Sequence, residues 1–146
     1  MKLKQLSIFL ENKPGRLTAP CRELADAGIN ILTMSLADTE QFGILRLLVR
    51  EWEKAREVLE KAGHVVKVTD VVAIEVADRP GGLAEVLEAI EKCNINVEYT
   101  YAFTFRRGDK AVLVFRFDRP DAAVRTLQTC GINVIGGVEL YERSSD

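Results

Sequence analysis

Leu6, Ile8 and Leu10 take every second position near the N-terminus, and Val72, Ile74 and Val76 repeat that spacing later, which is the two-residue period of a strand. Behind each run the period lengthens. Leu17, Cys21 and Leu24, and then Leu83, Val86, Leu87 and Ile90, stand at helical spacing, and Gly28 and Asn94 supply a left-handed stop. A strand follows over 29–37 or 95–105, then a polar turn (DTEQFG or RRGD), then a further strand (ILRLLV or AVLVFRF). There Leu45, Leu47 and Val49 match Leu113, Phe115 and Phe117 on one face. A second helix carries Ala55, Val58, Leu59 and Ala62, or Ala123, Val124 and Leu127, with Pro120 suited to a first turn. Gly63 and Gly131 end these helices, and the short strands VVKV and INVI close each series.

The pattern is therefore written twice. Pro14 and Pro80 stand 66 positions apart (80 − 14), and the same shift aligns Gly15 with Gly81, Leu17 with Leu83, Ile29 with Ile95 and Asn30 with Asn96. Strand, helix, strand, strand, helix, strand in duplicate predicts an α+β chain of two tandem ferredoxin-like βαββαβ modules, residues 1–70 and 71–146. Each is expected as a four-stranded antiparallel sheet with two helices on one face. The other face has no predicted cover: Ile44 and Leu48 flank Arg46 there, and Val112 and Val114 precede Arg116. A module of this size has a core worth only about 3 to 5 kcal/mol. Self-association, as a homodimer, is the expected remedy.

Composition excludes several classes. Lys and Arg number 20 against 22 Asp and Glu, and 47% of residues are apolar, an ordinary globular balance rather than that of a nucleic-acid binder. No apolar run approaches the roughly 20 residues a membrane span needs, and the first residues lack a signal-like apolar region, so a cytoplasmic location is expected. Cys21, Cys93 and Cys130 form no CxxC pair, which argues against a disulfide framework and a zinc site, and predicts reduced, mostly buried thiols. His64 is the one histidine and is expected at the surface without a catalytic or metal role. No nucleophile with a base, carboxylate pair or metal cluster stands at recognisable spacing, so neither an enzyme nor a bound cofactor is predicted.

The loops NKPGRL (12–17) and DRPGGL (78–83), each between a first strand and a first helix, together with GINI (28–31) and NINV (94–97) after that helix, resemble the ACT domain. This is a regulatory module attached to many amino-acid biosynthetic enzymes. Two copies span nearly the whole chain, so the resemblance is to stand-alone tandem ACT proteins. It implies allosteric binding of a small effector, an amino acid, between adjacent modules, and regulation of a biosynthetic enzyme or regulator.

The loop chemistry points the same way independently. Gly15 and Gly81 allow a sharp turn and close approach of a ligand, and a helix start beyond them presents NH groups and a positive dipole end to a carboxylate. Asn12 and Asp78 stand at the other lip, where a side-chain oxygen can accept from an ammonium group or, alternatively, cap the helix. Arg16 can meet a carboxylate; Gly82 takes its place in copy two and is expected to leave more space. The predicted site comprises Asn12, Gly15, Arg16 and Leu17 with Asp78, Gly81, Gly82 and Leu83, closed by the strand starts Asn30–Ile31 and Asn96–Val97 of a neighbouring module. The two asparagines can instead simply stabilise their turns. Tyr99, Tyr101 and Phe103 alternate along one strand and fit a buried sheet face or an interface. Arg106 and Arg107 read as a solvated hairpin tip. Two rival functions are a structural or partner-binding dimer without ligand, and an RNA-recognition domain of the same element order. The net charge of −2 and a first strand without an outward aromatic pair count against the latter.

Overall fold

The computed structural model describes the backbone of residues 2–144, and the side chains of all of these except 105–107, 143 and 144. The solvated tip expected at Arg106 and Arg107 thus falls on side chains outside those described. The chain divides into two compact units, Lys4–Thr69 and a second that starts at Asp70 and takes in Leu3 from the N-terminus.

Both units are ferredoxin-like modules. The first comprises β1 (Leu3–Glu11), α1 (Thr18–Asp26), β2 (Thr33–Asp38), β3 (Phe42–Leu48), α2 (Trp52–Lys61) and the start of β4 (Val66–Ala77), with strand order β2-β3-β1-β4. The second uses the rest of β4, then α3 (Gly82–Lys92), β5 (Val97–Arg107), β6 (Lys110–Phe117), α4 (Pro120–Thr129) and β7 (Val134–Ile135). Here β4 pairs antiparallel with both β6 and β7, and β5 lies beyond β6.

The period-2 strands and helical stripes meet in the cores. Leu6 lies opposite Leu47 and Ile8 opposite Leu45, all fully buried beneath Leu24 of α1 and Leu59 of α2. In the second module Val72 faces Phe115 and Ile74 faces Leu113, under Ile90 of α3 and Leu127 of α4. The Phe115 and Phe117 rings stack with centroids 5.4 Å apart. Each such buried leucine or phenylalanine contributes about 2 kcal/mol relative to leaving it in water. All four of these helices end alike. Gly28, Gly63, Asn94 and Gly131 have positive φ, and the next residue's NH returns to a carbonyl five positions back, at Leu24, Leu59, Ile90 and Leu127. That bond satisfies carbonyls the helix end would otherwise leave open.

Three features depart from the sequence reading. The strand expected at VVKV does not stop before the next copy; Thr69 and Asp70 lie inside β4, a single strand of 12 residues. A further helix, α5 (Gly137–Ser144), follows β7. Its Leu140 is fully buried, and a Cβ at Gly137 would stand 3.3 Å from the Leu3 side chain, so the helix start packs closely there. Finally, the faces away from the helix pairs are not bare. Leu48, Val112 and Val114 are buried, as is the polar Gln5. Tyr99 and Tyr101 are half-buried and Phe103 is buried, as expected of residues on a covered sheet face. What stays open is the far end of the first module's helix-free face, where Phe9 and Phe42 are about half exposed.

Candidate functional site

The two loops are one backbone conformation built from different side chains. Gly15 and Gly81 share φ = 86°, a left-handed value that glycine adopts without strain. The Arg16 NH donates to the Lys13 carbonyl (3.2 Å) as the Gly82 NH does to Arg79 (3.0 Å). The Ala19 NH donates to Gly15 (3.2 Å) as Glu85 does to Gly81 (3.0 Å). Each loop is also tied to its own hairpin tip: the Asn12 NH donates to Gln41, and the Asp78 NH to Asp109.

The N-cap positions of the two helices, Leu17 and Gly81, offer no side-chain cap. Asn12 in particular does not cap α1; its Nδ2 donates to the Glu40 carbonyl at 2.9 Å across the β2–β3 turn. The first-turn NH groups of α1, to which Pro20 contributes none, and of α3 give these ends an anion-attracting character. α1 begins at Thr18, so Arg16 and Leu17 sit in the turn before it rather than inside it. Leu17 and Leu83 are both partly exposed beside these starts.

The charges around the loops differ. In the first, Lys13 pairs with Glu11 at 2.9 Å and Arg16 approaches the same carboxylate at 3.9 Å. The Lys13 ammonium, by hydrogen bond and charge, and then Arg16 hold the Glu11 carboxyl below its ordinary range. In the second, Arg79 bridges both Glu85 oxygens at 3.0 and 2.9 Å, closing over the first turn of α3. Glu11, Lys13, Arg79 and Glu85 escaped the sequence reading; the six-residue spacing of Arg79 and Glu85 has no periodic signature across a turn. Gly82 does not leave extra room. A Cβ there would run into the Ala77 carbonyl oxygen, so the missing side chain lets α3 start directly against the end of β4.

The strand starts lie elsewhere. Asn30 and Ile31, which precede β2 rather than open it as expected, since β2 begins at Thr33, and Asn96 and Val97, at the start of β5, follow the C-terminal ends of α1 and α3, whose 9 and 11 residues span roughly 14 and 17 Å. Within one module the loop and the strand start are thus at opposite ends of a helix. Asn96 is held by a reciprocal pair, its NH donating to Asp118 Oδ1 (3.0 Å) and its carbonyl accepting from the Asp118 NH (3.1 Å). Asn30 is exposed and Ile31 half-buried. Close to Asn96 lies a cleft of about 390 Å³ between α3 and β5.

The remaining singled-out residues resolve simply. His64 is half-buried, not a bare surface residue, with Nε2 2.7 Å from Glu23 Oε2. Cys93 and Cys130 are exposed, contrary to expectation, because both follow helix ends; Cys21 is half-buried and burial pushes its thiol pKa up. Among the described residues no group of three His, Cys, Asp or Glu side chains is placed to hold a metal ion. Nor, among them, is any helix long and apolar enough to cross a membrane.

Comparison with known proteins agrees with this arrangement. The structure is similar to that of protein BT0572 from Bacteroides thetaiotaomicron, at 37% identity and a TM-score of 0.89, over 97% of this chain and 96% of that one. The regulatory subunits of aspartate kinase from Thermus thermophilus (ligand-free form) and Thermus flavus share the fold. Their TM-scores are 0.63 and 0.61 at 16% and 17% identity, over 86% of this chain and 91% and 90% of theirs. No curated protein matches the sequence. A family model described as an ACT domain pair matches residues 1–142, the span in which the loop, helix stop and strand order recur, and the chain accordingly belongs to that family of regulatory modules.

Proposed function

We propose that this ACT domain pair senses an amino acid at the loops 12–17 and 78–83, in the cytoplasm, and passes the signal to a biosynthetic enzyme or regulator. The observation that carries the reading is the duplicated loop: two helix starts whose N-cap residues, Leu17 and Gly81, offer no side-chain cap, each behind a left-handed glycine with the same hydrogen bonds. A carboxylate fits such a start, and Asn12, whose amide nitrogen is spent on Glu40, has its oxygen for an ammonium group. Arg16 favours an anionic group at the first loop, and Asp78 a cationic one at the second. Leu17 and Leu83 offer apolar contact to the ligand's body. We assign the modules to residues 1–70 and 71–146. Because Asn30–Ile31 and Asn96–Val97 lie a helix length from their own loops, a ligand touching both sets requires the loop of one module and the strand start of another. A homodimer supplies that pairing. The aspartate kinase regulatory subunits named above support a regulatory role of this kind.

Titration calorimetry with each amino acid, on the parent, Asn12→Ala and Asp78→Ala, tests the proposal. A ligand at about a hundred times its dissociation constant should stabilise the native state by about 2.7 kcal/mol. Loss of one site per variant is the expected result. Binding unchanged in both variants, with stability lowered, would reduce the loops to structure. Exposed Phe9 and Phe42 favour a second reading, a partner-binding dimer that needs no ligand. That reading predicts self-association without any response to amino acids.

A further inference from the structure

Cys93 and Cys130, both exposed, line one cleft of about 360 Å³ beside α4. Its wall is a single stripe of that helix: Ala122, Arg125, Thr126, Thr129 and Cys130 follow one another at the spacing that keeps side chains on one helix face. β4 and β5 both pair antiparallel with β6, so α3, which joins them, and α4, which follows β6, run in opposite directions. Cys93, at the end of α3, therefore sits toward the start of α4, and Cys130 ends a stripe that covers about 12 Å. The thiols stand at opposite ends of the cleft and are not a disulfide pair, which needs Cα atoms within about 7 Å. Positive charge gathers at the Cys93 end. Arg119 donates to the carbonyls of Cys93 (3.3 Å) and Asn94 (2.7 Å). Arg125 stands one turn after Ala122, and its guanidinium has no hydrogen-bond or ion-pair partner among the described residues. Thr126 is half-buried, the Thr129 hydroxyl is spent on the Arg125 carbonyl (2.9 Å), and no lining residue is acidic.

We propose that Cys93 is a modification site for an anionic low-molecular-weight disulfide of the glutathione class, whose carboxylate the cleft seats on Arg125. The Cys93 thiol gives its proton to water, and the thiolate attacks one sulfur of the incoming disulfide. A sulfur–sulfur bond to Cys93 forms as the ligand's own breaks, and the departing thiolate takes up a proton. The incoming disulfide is itself the oxidant, so no other co-reactant enters. The inference is independent of amino-acid sensing. A volume of about 360 Å³ falls in the range of small-molecule sites. The first module lacks the device. Ala27 stands 66 positions before Cys93, and Glu57 and Ala62 stand 68 before Arg125 and Cys130, so neither the thiols nor the cation is repeated.

The test is thiol–disulfide exchange on the full chain with oxidised glutathione and, as a cationic counterpart, cystamine. Adducts are followed over time by peptide mass spectrometry in the parent and in Arg125→Gln. Glutathione should appear on Cys93 ahead of Cys130 and Cys21. Both disulfides react with the same thiolate, so the ratio of their rates at Cys93 is independent of how much thiolate is present. That ratio, glutathione over cystamine, should fall roughly two- to fivefold in Arg125→Gln, the worth of one exposed ion pair. Arg125 is exposed, so this variant should fold like the parent. An unchanged ratio overturns the proposal. So does glutathione arriving first on Cys130 or Cys21, the absence of an adduct on Cys93, or a disulfide between Cys93 and Cys130.

Discussion

Loops 12–17 and 78–83 have the same glycine φ and three matched hydrogen bonds, yet they share only Pro, Gly and Leu at corresponding places. The first is basic, with Lys13 and Arg16 gathered on Glu11; the second sets Arg79 against Glu85 and drops a side chain at Gly82. Backbone shape here depends on two requirements, a residue at φ = 86° and carbonyls placed to receive the helix's first NH groups. Charge is free to diverge once those are met. The neighbouring edge strands diverge as well: β2 exposes Met34 and Leu36 on its helix side, where β5 has Thr100 and Ala102 at the positions 66 later.

The sharpest break in the comparison is Gly82. Gly82→Ala puts a methyl group into the Ala77 carbonyl and should cost about 3 kcal/mol, by urea denaturation, because neither strand end nor helix start can yield cheaply. Arg16→Ala, the matching change in the first loop, should stay within about 0.5 kcal/mol. Equal effects would mean that the two helix starts approach their strands alike.

A smaller and symmetric effect is expected at Gly15 and Gly81. Nothing lies within 4 Å of a Cβ at either, so Gly15→Ala and Gly81→Ala test conformation alone. Each should lose about 1 to 2 kcal/mol, the cost of a left-handed non-glycine residue. A difference above about 0.5 kcal/mol between them would show that the loops are not one conformation in solution.

Removing the tie from Asn12 to the Glu40 carbonyl is next. Asn12→Ala should cost about 0.5 to 1 kcal/mol, the worth of an exposed neutral hydrogen bond, with no helix-capping component because the side chain does not cap α1. A loss near 2 kcal/mol would restore the capping role.

The smallest effect is electrostatic. Lys13→Met removes the main cause of the lowered Glu11 pKa, so the Glu11 carboxyl midpoint in a carbon-13 NMR titration should rise toward the ordinary glutamate value. A depressed carboxylate stabilises the fold above its unfolded pKa and loses that contribution as pH falls through the folded value. The parent should therefore lose this slight contribution only under acid conditions that the variant no longer senses. An unmoved midpoint would give the shift to Arg16 instead.

Much of the fold could be read from periodicity because both cores depend on local rules. Leu6 and Ile8 alternate, Leu24 and Leu59 ride on helices stopped by Gly28 and Gly63, and the same rules act again 66 to 68 positions on. The sequence also determined where the chain must turn left-handed, since glycine or asparagine stands at each helix stop. Tertiary structure decided the rest. Only the packing against Ala77 explains Gly82, which in sequence is indistinguishable from spare room. α5 was not predictable from eight residues with one fully buried side chain among those described, Leu140, because a helix that short is held by what it packs on rather than by its own propensity. Likewise the boundary expected after Asp70 falls inside β4, where the Asp70 carbonyl accepts from the Arg116 guanidinium at 2.9 Å, a partner 46 positions away that no local pattern announces.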